Sequence, residues 1–182
     1  MTVILITGGA RSGKSHFAQV LATKSGKSVL FVATAQAGDE EMRRRIGDHR
    51  RARPAGWRTL ESPSAVGTQI TRGIGDVELV IIDCLTLLVS NVMGEFVSSS
   101  GDEVDVVPAE KAVSSELEEL IECLERVKAD FIVVTNEVGL GLVPDNALGR
   151  VYRDLLGKAN QRLAEAADEV YFMVAGIPVK IR

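Results

Sequence analysis

The strongest chemical signal in the sequence is a glycine-rich segment near the N-terminus. It reads Gly8, Gly9, Ala10, Arg11, Ser12, Gly13, Lys14 and Ser15, which matches the pattern G-x-x-x-x-G-K-S. An apolar run at residues 3–6 precedes it and a segment of helical period follows, the strand-to-helix context that this motif requires. Its glycines let backbone N–H groups surround a phosphate, and a helix start adds partial positive charge. We therefore expect a nucleoside triphosphate site rather than a chance glycine-rich turn.

Two residues of this segment and one distant acid predict a magnesium site. Lys14 is expected to reach the β- and γ-phosphate oxygens, and the hydroxyl of Ser15 to coordinate Mg²⁺. Asp83 follows four apolar residues, 79–82, at the carboxyl end of a predicted strand, where α/β sheets bind their ligands. The alternative interpretation is that Asp83 caps the helix that follows it. We favour the metal role, with Mg²⁺ as the cofactor of the nucleotide and Ser15 and Asp83 as its ligands.

A candidate nucleophile is His49, one of two histidines in the chain. It stands in a basic stretch together with Arg43, Arg44, Arg45, Arg50, Arg51 and Arg53. Basic stretches are usually solvated faces, but guanidinium groups near a triphosphate site can also bind phosphate oxygens in pairs. A neutral imidazole among them is able to attack phosphorus. His16, in the first turn of the predicted helix after Ser15, is interpreted as incidental.

Residues 135–144 follow a predicted buried strand and carry polar groups and glycines to the same edge of the sheet. Two interpretations are equally open. The segment is a loop that leads into a helix capped by Asp145 or Asn146, or it contacts an acceptor substrate.

These candidates need a scaffold of alternating strands and helices. Continuous apolar runs, typical of strands buried on both faces of a parallel sheet, occur at residues 3–6, 29–33, 79–82, 131–134 and 170–174. Helical periods lie at 15–24, 110–128 and 147–167. Residues 179–181 predict a short final edge strand, and the acidic segment 94–108 predicts a surface loop. The order predicts a three-layer α/β fold of the P-loop NTPase type with a mostly parallel central sheet.

Composition narrows the function classes. The 182 residues fit one domain, 1–182, and the formal net charge of −4 argues against nucleic acid or an anionic membrane as a partner. Cys84 and Cys123 lie in apolar segments without zinc-ligand spacing and are expected to be reduced core residues. The N-terminus lacks the basic and small-residue features of a signal peptide, and no run is long enough to span a membrane. We therefore expect a cytoplasmic protein.

In combination, the motifs resemble a known family, the bifunctional adenosylcobinamide kinase / adenosylcobinamide-phosphate guanylyltransferases of cobalamin biosynthesis. The resemblance covers nearly the whole chain in order, except 94–108. Its further motifs are Ala33-Thr34-Ala35, the run from Arg45 to Pro54, Trp57, Glu61, Asp83-Cys84-Leu85-Thr86, Ser90-Asn91, Thr135-Asn136-Glu137-Val138-Gly139, Asn160-Gln161-Arg162-Leu163 and Ala175-Gly176-Ile177-Pro178.

The resemblance implies two reactions and a set of residues. ATP or GTP phosphorylates the aminopropanol hydroxyl of adenosylcobinamide, and GTP then transfers GMP to that phosphate through a guanylylated histidine, with release of pyrophosphate. It implies His49 as that histidine. Lys14, whose charge would stabilise the phosphate groups during transfer, is predicted as a second catalytic residue. The nucleotide contacts that the resemblance implies are Gly8, Gly9, Ala10, Arg11, Ser12, Gly13, Lys14, Ser15, Ala33, Thr34, Ala35, Arg50, Arg51, Ala52, Arg53, Glu61 and Asp83. It also implies a homotrimer.

Two other functions are consistent with the P-loop. A kinase of another small alcohol would use ATP without a covalent GMP intermediate. A non-catalytic module controlled by nucleotide would bind GTP without turnover. The N-K-x-D motif of switch GTPases is absent, since Asn136 is followed by Glu137 and Val138.

Overall fold

The structure is a computed structural model that describes residues 1–38, 40–51, 53–99, 101 and 103–182. Within the second helix it describes the backbone but not the side chains of Glu41, Met42, Arg45, Asp48 and His49. In chain order the elements are β1 (Val3–Gly8), α1 (Lys14–Ser25), β2 (Val29–Ala33), α2 (Glu40–Arg51), β3 (Arg58–Glu61), α3 (Val66–Gly73), β4 (Leu79–Asp83), α4 (Leu85–Gly94), α5 (Val106–Arg126), β5 (Asp130–Val134), α6 (Ala147–Ala166), β6 (Glu169–Val174) and β7 (Ile177–Lys180).

One sheet of seven strands runs through the molecule in the order β3-β2-β4-β5-β1-β6-β7. All neighbouring pairs are parallel except β6 and β7, which form an antiparallel hairpin at the C-terminal edge. The inner strands β2, β4 and β5 are almost wholly buried, because helices cover both of their faces. The predicted mostly parallel sheet with a C-terminal edge hairpin is confirmed.

Helices form a layer on each side of the sheet. On one side, Ala18 and Ala22 of α1 pack against Ile6, Phe31 and Ile81 of the strands. On the other side, α3, α4, α5 and α6 cover the sheet through a larger core that includes Leu5, Ile70, Val80, Leu85, Leu120 and Leu156. The predicted three-layer α/β architecture is therefore confirmed. Among the described residues, no helix is both long and apolar enough to cross a bilayer.

Two predicted boundaries are wrong at the ends of elements. Helix α5 begins at Val106, whereas its period predicted a start at 110, so the acidic loop is shorter than 94–108. Pro108 lies in the first turn of this helix, where its missing N–H removes no helical hydrogen bond. The last strand covers Ile177–Lys180 rather than 179–181, and it includes Pro178, which an edge strand accepts.

Other elements carry little local signal. The edge strand β3 has no apolar run and is mostly exposed. The N-terminus of α3 is capped from α5, since the Glu116 carboxylate accepts hydrogen bonds from the N–H groups of Ala65 and Val66, both at 2.8 Å. Helix α4 continues directly from the apolar run of β4, after Cys84. Strand β3, which pairs with β2, and helix α3 therefore depend on partners that are distant in the chain.

Candidate functional site

The P-loop, residues 8–15, joins β1 to α1 and packs backbone against backbone on the β6–β7 hairpin. Gly8 has φ +146°, and a Cβ there would lie 2.7 Å from the carbonyl oxygen of Met173. Gly13 has φ +94°, and a Cβ there would lie 3.3 Å from the Cα of Gly176. Both positions therefore need glycine, for conformation and for space. The loop opens helix α1 at Lys14, so its N–H groups and the positive end of the helix dipole meet at one point.

Lys14 is buried inside this loop. Its Nζ donates hydrogen bonds to the carbonyl oxygen of Gly9 at 2.6 Å and to Oγ of Ser12 at 3.4 Å. Burial lowers the pKa of Lys14, and the nearby Cys84 and Asp83 oppose this shift. The ammonium donors thus face loop oxygens that the oxygens of a bound phosphate could replace. This is the arrangement expected of a phosphate-binding lysine.

Asp83 ends β4 at the same edge of the sheet. It pairs in register with Ala33 of β2 and with Val134 of β5, and Val134 in turn pairs with Ile6 of β1. Its charge acts on both Lys14 of the P-loop and Arg53, which follows α2, so the carboxylate lies near both groups.

Ser15 and Asp83 offer oxygen donors of the kind that Mg²⁺ prefers, and both side chains are half-buried. In the described part of the chain, no group of three or more His, Cys, Asp or Glu side chains is placed to hold a metal ion. A nucleotide-bound Mg²⁺ needs only one or two protein oxygens, because phosphates and waters complete its shell. The donor set therefore fits an ion that arrives with the nucleotide.

Residues Ala33, Thr34 and Ala35 leave β2 in a conformation fixed by β4 and α4. The buried Thr34 hydroxyl donates to the carbonyl oxygen of Cys84 at 2.7 Å and accepts from the Cys84 N–H at 2.8 Å. The Asn91 amide of α4 donates to the carbonyl oxygens of Thr34, at 2.8 Å, and of Pro63, at 3.0 Å. Burial, followed by the charge of Asp83, raises the pKa of the Cys84 thiol to about 11. The thiol is thus neutral near pH 7.

The C-terminal end of α2 lies over the ends of β2 and β3. Arg50 forms an ion pair with Glu61, the last residue of β3. The Arg53 guanidinium stacks on Phe31, 3.7 Å from the ring centroid. Burial lowers the pKa of Arg53, and Asp83 is the charge that most opposes this shift. The Nε of Arg53 is buried and has no hydrogen-bond partner among the described residues, so it is a donor that an anionic ligand would satisfy.

His49 precedes Arg50 in α2, but its side chain lies outside the described part of the structure, and so does residue Ala52. Arg51 is exposed at the end of α2. The structure therefore brings together the P-loop, Asp83, residues 33–35, Glu61, Arg50 and Arg53, all at the carboxyl edge of the sheet. Of the predicted site, the position of the imidazole stays a prediction.

A polar network to which the motifs assigned no role fixes the segment after β5. The Asn136 N–H donates to Oγ1 of Thr86 at 2.7 Å, and the Asn160 amide donates to the Asn136 carbonyl at 3.0 Å. The Thr135 hydroxyl donates to Oδ1 of Asn160 at 2.7 Å. The only sequence feature that indicated this network was Asn160, a polar residue on the apolar face of α6. Of the two predicted caps of α6, Asn146 is the one observed. Its Oδ1 accepts a hydrogen bond from the Gly149 N–H at 2.6 Å.

The sequence matches a family model described as cobinamide kinase / cobinamide phosphate guanyltransferase over residues 4–181. The chain is 43% identical to the bifunctional adenosylcobalamin biosynthesis protein CobU of Escherichia coli over 181 residues, 99% of both chains. It is 42% identical to the bifunctional adenosylcobalamin biosynthesis protein CobP of Pseudomonas aeruginosa over 178 residues, 98% of this chain and 96% of that one.

A solved structure of low sequence identity shares the fold of this chain. The crystal structure of the RadB recombinase superposes with a TM-score of 0.52 at 15% identity, covering 94% of this chain and 73% of the recombinase chain. At that identity the likeness concerns the fold alone.

Proposed function

The chain belongs to the cobinamide kinase / cobinamide phosphate guanyltransferase family, and we propose how its own residues carry out the two reactions. The observation that carries the proposal is the match over residues 4–181 together with a P-loop whose lysine lies beside Asp83. Both reactions transfer a phosphorus group from a nucleoside triphosphate, so one phosphate site can serve both.

In the kinase reaction, the acceptor hydroxyl attacks the γ-phosphorus of ATP or GTP. Lys14 and the P-loop N–H groups hold the β- and γ-phosphate oxygens, and Ser15 and Asp83 hold the Mg²⁺. The ion supplies charge stabilisation when bound. The residues of this chain contribute position and fixed positive charge, which dominate catalysis of phosphoryl transfer. The product is adenosylcobinamide phosphate.

In the guanylyltransferase reaction, the His49 imidazole attacks the α-phosphorus of GTP and pyrophosphate leaves. The acceptor phosphate then attacks the same phosphorus, which frees the histidine and gives adenosylcobinamide-GDP. Covalent catalysis divides one difficult displacement into two. Arg50 and Arg53 support this role, because both follow His49 closely in the chain. Arg50 pairs with Glu61, and Arg53 lies in the field of Asp83 at the edge that also carries the P-loop.

The nucleotide-binding residues proposed for the two steps are those implied by the resemblance. Apart from Ala52, they lie at or just after the carboxyl ends of β1 to β4, in the P-loop and the first turn of α1, or at and just after the end of α2: Gly8, Gly9, Ala10, Arg11, Ser12, Gly13, Lys14, Ser15, Ala33, Thr34, Ala35, Arg50, Arg51, Arg53, Glu61 and Asp83. We further propose a single catalytic domain over 1–182, a cytoplasmic location, a homotrimer, and small molecules rather than nucleic acid as partners. The net charge of −4 supports the last point.

The direct test is a product assay with purified protein, adenosylcobinamide, ATP, GTP and Mg²⁺. We expect adenosylcobinamide phosphate with ATP alone, and adenosylcobinamide-GDP and pyrophosphate once GTP is added. Lys14→Met should lower both products about 10²- to 10³-fold, because one charged donor is removed from the phosphate site. Phosphate product without any GDP product would support a plain kinase instead. Nucleotide binding without either product would contradict an enzymatic function.

A further inference from the structure

Glu137 lies at the sheet edge between the P-loop and the strand that ends in Asp83. It follows β5, the strand between β1, which leads into the P-loop, and β4, which ends in Asp83. Its N–H donates to the carbonyl oxygen of Gly8 at 3.0 Å, so its backbone touches the first residue of the P-loop. The network around Asn136 fixes this segment from α4 and α6. The position of Glu137 is thus set by three separate elements.

The carboxylate of Glu137 differs from the other acids described at this edge. Glu61 is paired with Arg50, and Asp83 lies in the field of Lys14 and Arg53. Glu137 is half-buried, and its Oε1 accepts a hydrogen bond from the N–H of Gly139 at 2.6 Å. In the part of the chain that the structure describes, no ion pair joins it to a basic side chain. It is therefore a carboxylate that can accept a proton or orient a hydroxyl.

A cavity of about 680 Å³ begins at Glu137 and continues between α6 and the sheet. Its end near the P-loop is lined by Glu137, Asn160 and Thr7, the residue before Gly8. The Thr7 hydroxyl is buried and has no hydrogen-bond partner among the described residues, so a polar group of a ligand would satisfy it. Its remainder is lined by apolar side chains, among them Leu5 and Val170, and by charged side chains of α5 and α6: Glu110, Arg153, Asp154 and Lys158. A mixed lining and this volume are typical of small-molecule sites.

We propose that this cavity binds the hydroxyl-bearing arm of the acceptor in the kinase reaction, and that Glu137 is the catalytic residue that takes the hydroxyl proton. The inference rests on the proposed function. As the acceptor oxygen forms its bond to the γ-phosphorus, the bond from that phosphorus to the bridging oxygen breaks. The nucleoside diphosphate leaves with the electron pair, and the proton moves to the Glu137 carboxylate. Charge and atoms balance without a further reactant.

The first test separates the two activities with Glu137→Gln, which keeps the shape of the side chain and removes its basicity. A general base contributes about 10² to 10⁴ in rate, so kcat of adenosylcobinamide phosphorylation should fall by about 10²-fold or more. Labelling of the enzyme by GTP, which needs no acceptor, should keep its wild-type rate. Glu122→Gln, on the exposed face of α5, is the matched carboxylate-to-amide control and should change neither rate. Equal loss of both rates in Glu137→Gln would show a structural role and overturn the proposal, and so would an unchanged kinase rate.

The second test fills the cavity. Gly157 of α6 lines it, and a Cβ at this position has no other atom within 4 Å, so Gly157→Leu enters open space without meeting the backbone. We expect KM for adenosylcobinamide to rise by about tenfold or more, the loss expected when a bound group is displaced, while KM for ATP is unchanged. Gly73→Leu in α3, where a Cβ also has open space, is the control for adding a leucine to a helix. A raised KM for ATP alone, or no change, would overturn the proposal. Absence of phosphorylation by the wild-type protein would instead reject the proposed function, and this inference with it.

Discussion

The N–H of Gly176 donates a hydrogen bond of 3.0 Å to the carbonyl oxygen of Ser12. This contact joins the turn of the β6–β7 hairpin to the P-loop, 164 residues earlier in the chain. Gly176 has φ +85°, and the hairpin also supplies the Met173 carbonyl that leaves no space for a side chain at Gly8. The shape of the phosphate site therefore depends on a hairpin that ends the sheet.

Substitution of the turn glycine should weaken nucleotide binding as well as stability. Gly176→Val forces a branched residue into the left-handed region, at a cost of about 1–2 kcal/mol, and shifts the N–H that holds Ser12. We expect a lower unfolding temperature together with a higher Kd for GTP, measured by calorimetric titration. Gly26→Val at the end of α1, with φ +68° and equally open space, is the control that should lose stability alone. Equal Kd values for the two variants would contradict the coupling.

Asp83→Asn tests the proposed Mg²⁺ ligand. The amide keeps the size of the side chain but removes the negative charge, and the loss of even an outer-shell partner of a metal ligand costs about 10- to 100-fold in metal affinity. We expect the Mg²⁺ concentration for half-maximal kinase activity to rise by about that factor, measured at saturating ATP. The N-cap position of α4 is Cys84 rather than Asp83, so the structure does not support the capping role for Asp83. A variant whose Mg²⁺ dependence matches the wild type would contradict the proposed metal role of Asp83.

Glu61→Gln should separate stability from nucleotide binding. The Arg50–Glu61 pair is exposed, with 56% and 55% of the two side chains accessible, and such pairs contribute at most about 1 kcal/mol. Urea unfolding should therefore show a change below about 1 kcal/mol. Because Glu61 is proposed to contact the nucleotide, we expect KM for GTP to rise by about tenfold, and an unchanged KM would contradict that contact. Glu118→Gln, which removes an exposed pair with Arg162 between α5 and α6, should leave KM for GTP unchanged.

The Cys84 thiol should resist alkylation. Its pKa is raised from 9.0 to about 11, because the thiolate of this half-buried residue would be desolvated and would lie beside Asp83. In the folded protein the thiol therefore stays protonated through the range in which the unfolded chain ionises. Its contribution to stability is present below pH 9 and declines as the pH rises toward 11. Iodoacetamide labelling followed by mass spectrometry at pH 9 should modify Cys84 in urea but not in the native protein, and equal rates would contradict the burial.

Local sequence was enough to predict the elements whose pattern is contained within a few consecutive residues. The inner strands are continuous apolar runs, because both faces of the sheet are covered. The P-loop can be identified from sequence because its glycines, lysine and serine occur within eight consecutive residues. Asp83 was predictable for the same reason, as an acid that directly ends an apolar run.

The remaining features depend on partners far apart in the chain. Helix α3 begins where it does because Glu116 of α5 accepts from its first N–H groups, some 50 residues away. Thr34 is fixed by Cys84, and Glu137 by Gly8, through hydrogen bonds that exist only when the strands are adjacent. The residue types alone indicated neither contact. The sequence therefore did not decide whether residues 135–144 form a connecting loop or contact the acceptor substrate.

The central claim, covalent guanylylation of His49, is tested most directly by incubation with GTP labelled at the α-phosphate, followed by denaturation and electrophoresis. We expect a labelled band in the wild-type protein that is labile to acid and stable to alkali, as a phosphoramidate is. His16→Ala, which removes the other histidine of the chain, should keep the band, and His49→Ala should lose it while it retains phosphorylation of adenosylcobinamide. A band of equal intensity in His49→Ala, or no band in folded wild-type protein with Mg²⁺, would contradict the account.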